Sequence, residues 1–384
     1  MGNRTYARHV TGVYLGRMSS RFARIVMPVA LGLALTTTAC GNVAAAFNRY
    51  GPPGYVTVAQ AGELAPANTF DAGADGRPGQ LIGPHYHLEL SGYSVMSEVP
   101  AEHAAAFGFD GGPIRAKEGT EFFVAVAGPA TVPASGPVTA VLRVGDEQRP
   151  LERLPAAGET IAAVIPQGAD VRLSVMDEKR GQTLDLRTGD RPEAVAGFYN
   201  AAFESADPAD YEGEGVAVGD AGSGYLPENR DLTISMNVDV AQRSPWLEEP
   251  GWAPEGEVWI GVPISGMTTN AVWGFDTGPD SHEPMMLWEL KQSDLFSLTP
   301  EGGDAVDAEG DLTFVADEDS PYYGTPDSPF DPDSTTLYFA VPEDTVAAEL
   351  KISPGGKLSA EWADVDGRGS WDKKPKSGKI DLEF

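Results

Sequence analysis

Apolar positions along most of this chain come in short runs that suit strands. FFVAVA (122–127), VTAVLRV (138–144), DVRLSV (170–175), TLDL (183–186), DLTISMNVDV (231–240), EVWIGVPI (257–264), LTFVA (312–316) and TLYFAVP (336–342) are rich in β-branched and aromatic residues. Clusters of Gly, Pro and Asp separate them, as turns between strands require. Helical spacing is scarce. Its best instance, PEAVAGFYNAAF (192–203), falls between two groups of strands and predicts a linker helix or turn. Many short strands with frequent turns predict an all-β chain of sandwiches or barrels.

The N-terminus has a different pattern. Arg4, Arg8, Arg17, Arg21 and Arg24 precede an apolar run from Ile25 to Leu35, and no acid occurs before Glu63. That run is shorter than the ~20 residues needed to span a bilayer. A basic start, a short apolar stretch and small residues ahead of a cut site make a secretory signal peptide. Thr36, Thr37, Thr38 and Ala39 lead directly to Cys40, the chain's single cysteine. This resembles the lipobox of bacterial lipoproteins, although Thr37 stands where Leu is usual. The resemblance implies a diacylglyceryl group on Cys40 and a location on the outer face of the cytoplasmic membrane. Met18 gives the signal more ordinary proportions than Met1 does. Residues 40–80, rich in Gly, Ala and Pro, predict a lipidated, disordered tether with one short strand at Tyr55–Ala59.

Behind the strand pattern lies an internal repeat. AKEGTEFFVAV (116–126) matches APEGEVWIGV (253–262), with Gly119 on Gly256 and Phe122 on Trp259. VIPQGADVRLSV (164–175) matches AVPEDTVAAELKI (340–352) through Pro166 and Pro342, and GQTLDL (181–186) matches GKIDLEF (378–384). HLELSGYSVMSEV and LTISMNVDVAQ are candidates for the first strand of each copy. The three blocks keep their order, which predicts two copies of one sandwich. The chemistry of the blocks is structural: a glycine suited to positive φ before a strand, an aromatic anchor within it, and a proline at its partner's end.

These blocks resemble the telokin-like, immunoglobulin-fold domains of secreted proteins and lipoproteins in Gram-positive bacteria, over roughly 85–190 and, with insertions, 212–384. The resemblance implies two tandem immunoglobulin-like β-sandwich domains and carries no catalytic residues. The organisation expected is a signal peptide over 1–39, the tether over 40–80, a first sandwich over 81–190, a linker over 191–211, and a second sandwich over 212–384. From Gly119 to Pro166 is 47 residues, but from Gly256 to Pro342 is 86. The second copy therefore carries an acidic insertion over 265–337, and insertions on a rigid scaffold are where function commonly sits.

Charge narrows the partners. The chain carries a net −30, and removing residues 1–40, with five arginines and no acid, leaves −35. So acidic a body excludes nucleic acid as a partner and does not hug an anionic lipid surface, so the membrane is reached through the lipid anchor.

Candidate chemistry concentrates in the insertion. Asp317, Asp319, Asp327, Asp331 and Asp333 are candidate Ca²⁺ ligands, because calcium takes six to eight oxygens from carboxylates and turn carbonyls. A solvated acidic loop is the competing reading. DVDGRGSWD (364–372) departs from a calcium loop at Arg368 and Pro375. Trp273, Trp288, Tyr322 and Tyr323 are candidates for an aromatic platform taking an extracellular protein, peptide or glycan. HYHLE places His85, His87 and Glu89 on one strand face, a partial Zn²⁺ set. No G-x-S-x-G, H-E-x-x-H or phosphate loop occurs. The expectation is a non-enzymatic, membrane-anchored binding module. Its alternatives are a calcium-stabilised structural or adhesive protein, and a hydrolase with an unrecognised site.

Overall fold

The computed structural model describes residues 49–60, 65–70, 78–205, 207–220, 228–270, 285–316, 328–330, 332–362 and 365–384. The expected signal segment, Cys40 and about half of the expected tether lie outside them. The fold is all-β. Residues 48–384 cluster as one compact unit, so no boundary appears at the expected linker between two sandwiches.

In the first half, β1 (Val56–Ala59), β9 (Thr160–Pro166), β6 (Thr120–Ala127), β3 (Tyr86–Met96) and β2 (Gln80–Gly83) form one antiparallel sheet in that order. A second sheet has the order β11 (Arg180–Asp185), β10 (Val171–Asp177), β7 (Val138–Val144), β8 (Glu147–Leu151). Leu88, Phe123, Ile161, Leu142, Leu173 and Leu184 fill the space between them. β7 and β10 alternate buried and more exposed positions, but β6 and β9 carry unbroken buried runs, Phe122 to Ala125 and Thr160 to Ile165. The reason is a second cover. β4 (Glu98–Val99), α1 (Ala101–Ala104) and β5 (Ile114–Arg115) lay Val99, Phe107 and Ile114 over Phe122, Val124 and Val164 on the sheet's outer face. A strand buried on both faces reads as a continuous apolar run, and each such Phe or Val contributes about 1.5–3 kcal/mol. The strand expected at Tyr55–Ala59 is present as β1. It is paired residue for residue with β9, so it is an edge of this sheet and not part of a spacer.

The second half repeats the plan. β12 (Ala209–Asp220), β13 (Glu228–Val238), β17 (Glu257–Thr269) and β23 (Ser334–Pro342) pair in sequence, as β2, β3, β6 and β9 do. β27 (Gly378–Glu383), β24 (Ala347–Ile352), β19 (Phe296–Pro300) and β20 (Val306–Asp307) reproduce the order β11-β10-β7-β8. The match extends to single bonds. Thr120 pairs with Pro166 and Glu257 with Pro342. Gln167 N–H donates to Gly119 O, and Glu343 N–H to Gly256 O, both at 3.0 Å. Gly119 and Gly256 have φ of 81° and 82°, in the left-handed region that favours glycine. The aromatics at the matched positions are buried, but outside the inter-sheet core. Phe122 packs under the α1 segment, and Trp259 donates its Nε1–H to Gly251 O in the hairpin of β15 (Trp246–Leu247) and β16 (Gly251–Trp252).

What the second half adds is a sheet extension. β18 (Met285–Lys291), β21 (Thr313–Ala316), β25 (Lys357–Trp362) and β26 (Val365–Lys373) continue the sheet beyond β12 in the order β12-β26-β25-β18-β21. The short β14 (Gln242–Ser244) and β22 (Ser328–Pro329) complete the pairing of β17. Half of the extension, β25 and β26, comes from 357–373, beyond the expected insertion. Conversely β19 and β20 fall inside 265–337 yet belong to the repeated scaffold.

The linker helix expected over 192–203 is a single 3-10 turn at Ala196–Phe198. Tertiary bonds claim the backbone that a helix needs. Glu193 O accepts from Thr183 N, and Gly197 O accepts from Arg243 Nη1. Arg243 is wholly buried and also donates to Thr345 O and Glu343 O, so it ties the linker to the second half. On the other side Tyr199 Oη accepts from Ile82 N and donates to Gln182 Oε1. Arg180 crosses directly between the halves, donating to Ala253 O at 2.8 Å with its guanidinium 5.6 Å from the Trp252 ring centroid.

Candidate functional site

Of the acidic residues expected to hold calcium, Asp317, Asp319, Asp327 and Asp331 lie outside the described residues, and Asp333 is exposed. Among the described residues no three His, Cys, Asp or Glu side chains group as a metal site. Trp273, Tyr322 and Tyr323 are likewise outside. Trp288 is not a platform: its exposure is 0%, and its ring meets Phe330 and Trp371 edge-on at 5.8 and 5.0 Å. Strand alternation decides this, since Trp288 and Leu290 point inward while Glu289 and Lys291 point outward.

On the histidine face, His85 pairs with an acid, while His87 Nε2 is buried with no hydrogen-bond partner among the described residues. His85 Nδ1 lies 2.8 Å from Asp177 Oδ1, and Asp177 Oδ2 accepts the His85 backbone N–H. The imidazole packs edge-on against Trp246, with centroids 5.2 Å apart. No hydroxyl among the described residues hydrogen-bonds the His85 ring.

A cleft of about 790 Å³ lies on the outer face of the extension. Its floor is β18 with its two neighbours. Glu289 is paired in register with Lys357 on β25, and Lys291 with Thr313 on β21. One wall is the loop Ser353-Pro354-Gly355-Gly356 between β24 and β25, and another is Lys374-Pro375-Lys376-Ser377 between β26 and β27. Asp294 on α2 (Gln292–Leu295) closes one end. The walls are tied down from behind. Ser353 N–H donates to Leu295 O, and the Tyr211 hydroxyl donates to Lys376 O. Burial pushes the Tyr211 hydroxyl up to about 12, so it stays a protonated donor at neutral pH. Gly356, at φ 57°, has no room for a side chain: a Cβ there would lie 2.4 Å from Glu289 O.

Lysines make this cleft unlike the rest of the surface. Lys357 Nζ donates to Glu289 Oε2 at 3.3 Å. Lys291 and Lys374 have no hydrogen bond or ion pair among the described residues. Lys374 Nζ lies over Gly355, 3.4 Å from where a Cβ would stand. Three ammoniums face two carboxylates, so the cleft is net positive on a chain of net charge −30. An ammonium 4 Å from an anion gains about 1 kcal/mol in bulk water and about 4 near a protein surface. The arrangement suits binding an anion, with hydroxyls of Thr313, Ser353 and Ser377 as further donors. Sequence reasoning missed these lysines because they lie far apart along the chain. The available signal was their distribution: seven of nine lysines fall between 291 and 379.

No protein-family model matches the chain, and comparison with curated proteins and with solved structures found no match.

Proposed function

We propose that this protein is a non-enzymatic, lipid-anchored binding module on the outer face of the bacterial cytoplasmic membrane, built from two immunoglobulin-like sandwiches. The observation that carries the reading is the repeat with one copy elaborated. Both halves share a strand order, and the four additional strands of the second frame a polar cleft. The order β3-β6-β9 facing β11-β10-β7-β8 corresponds to strands A-B-E facing G-F-C-C′ of an immunoglobulin sandwich, which supports that assignment. A duplicated scaffold with one grafted face is how a binding surface is held by rigid elements. Cys40 carries the lipid, and its support is the basic segment, apolar run and small residues before it.

The test has two arms on the full chain. Cys40→Ala is expected to move the protein from the membrane to the soluble fraction; unchanged fractionation contradicts the anchor. Immobilised full chain is expected to retain a component of a cell-surface extract, and Lys291→Ala/Lys374→Ala to release it. Equal retention by both contradicts the placement of binding on the extension.

A further inference from the structure

We infer that the lysine cleft recognises a phosphate-bearing ligand; this rests on the reading of the extension as the binding face. Three features suit a multiply charged phosphate. First, the cations are all lysines, although arginine outnumbers lysine eighteen to nine in the chain. Arginine's planar fork imposes bidentate geometry on carboxylate and phosphate alike, whereas lysine acts as a point charge, the role it plays in phosphate sites. Second, two of the three ammoniums are unspent among the described residues, and they approach from different elements: Lys291 from the floor and Lys374 from the wall. Third, the hydroxyls of Thr313, Ser353 and Ser377 line the same space, which provides donors for the remaining phosphate oxygens. Asp294 sits at one end and is available to a hydroxyl-bearing body attached to the phosphate. The volume is that of a small-molecule site.

The global charge of −30 opposes approach of any anion, so a free surface lysine would gain little. Binding therefore requires several donors at once, which predicts discrimination between phosphate and carboxylate anions of similar charge.

The experiment is calorimetric titration of the full chain with pyrophosphate, with citrate as the carboxylate comparison at equal ionic strength. Saturable pyrophosphate binding is expected, weakened about tenfold or more by Lys291→Ala and by Lys374→Ala. Lys379→Ala, which removes a lysine paired with Glu349 outside the cleft, is expected to leave it unchanged. All three lysines are exposed, and an unaltered thermal midpoint verifies that each variant folds. Glycerol 3-phosphate, and vesicles of phosphatidylcholine with or without phosphatidylglycerol, distinguish a soluble phosphate from a lipid headgroup. Absence of saturation, equal affinity for citrate, or an equal loss in Lys379→Ala overturns the inference. If pyrophosphate fails while retention of the surface-extract component still depends on Lys291 and Lys374, the ligand class falls and the binding face stands.

Discussion

The two halves of this protein start from one plan and use their free edges differently. In the first, β10 returns to β11 through a tight turn, and the outer face of the β6 sheet is covered by its own α1 segment. In the second, the turn that matches β10–β11 is opened, and β25 and β26 are inserted between β24 and β27. Together with β18 and β21 they continue the sheet from β12, the strand whose counterpart β2 is an edge. The added strands share the second half's core, since Trp288, Leu290, Phe314 and Leu358 join Ile260, Phe339 and Leu350. Insertions placed at turns leave the scaffold's registers untouched while adding a face that the first half lacks.

The largest expected effect comes from breaking that shared core. Trp288→Ala should cost about 3–5 kcal/mol, read as a lower denaturation midpoint for the second half. A loss under about 1 kcal/mol would make the extension an appendage. Next is Arg243→Ala, which leaves the carbonyls of Gly197, Glu343 and Thr345 without their buried donor. It should cost about 2–4 kcal/mol and split one calorimetric transition into two. A single, equally sharp transition would show that the linker contact does not couple the halves.

Smaller effects sharpen the comparison locally. Gly356→Ala strains a positive φ and strikes Glu289 O, so about 1–3 kcal/mol of destabilisation is expected by urea unfolding. The matched turn of the first half has no equivalent cleft wall. Smallest is Glu159→Gln. The Arg153 hydrogen bond holds the Glu159 carboxyl below its ordinary value of 4.5, and the Ala156 N–H adds to this. A depressed folded value means stability that is present above pH ~4.5 and is lost as pH falls through the folded value. The variant should lose about 1 kcal/mol at pH 7, and this deficit should shrink toward pH 3. A deficit independent of pH would assign it to packing.

The repeated scaffold was legible in the sequence because its marks are local. Gly119 and Gly256 mark a backbone that needs positive φ, and Pro166 and Pro342 mark strand ends without a ladder donor. The extension was not legible. In 357–373, Gly and Asp weaken any strand signal, and pairing with β12 and β18 supplies what propensity does not. Trp288 was misassigned to the surface because its inward position follows from β18, a strand the pattern did not single out. The cleft was hidden for a related reason. Lys291, Lys357 and Lys374 become neighbours only through the pairing of β18 with β25 and the turn between β26 and β27.

The central claim is that the second copy carries the binding chemistry and the first does not. Hydrogen exchange of the full chain with and without saturating pyrophosphate tests it most directly. Added protection is predicted in 289–294, 353–357 and 374–377, with none in the matched connections 128–137 and 177–181. Protection confined to the first half, or equal in both, would contradict the account.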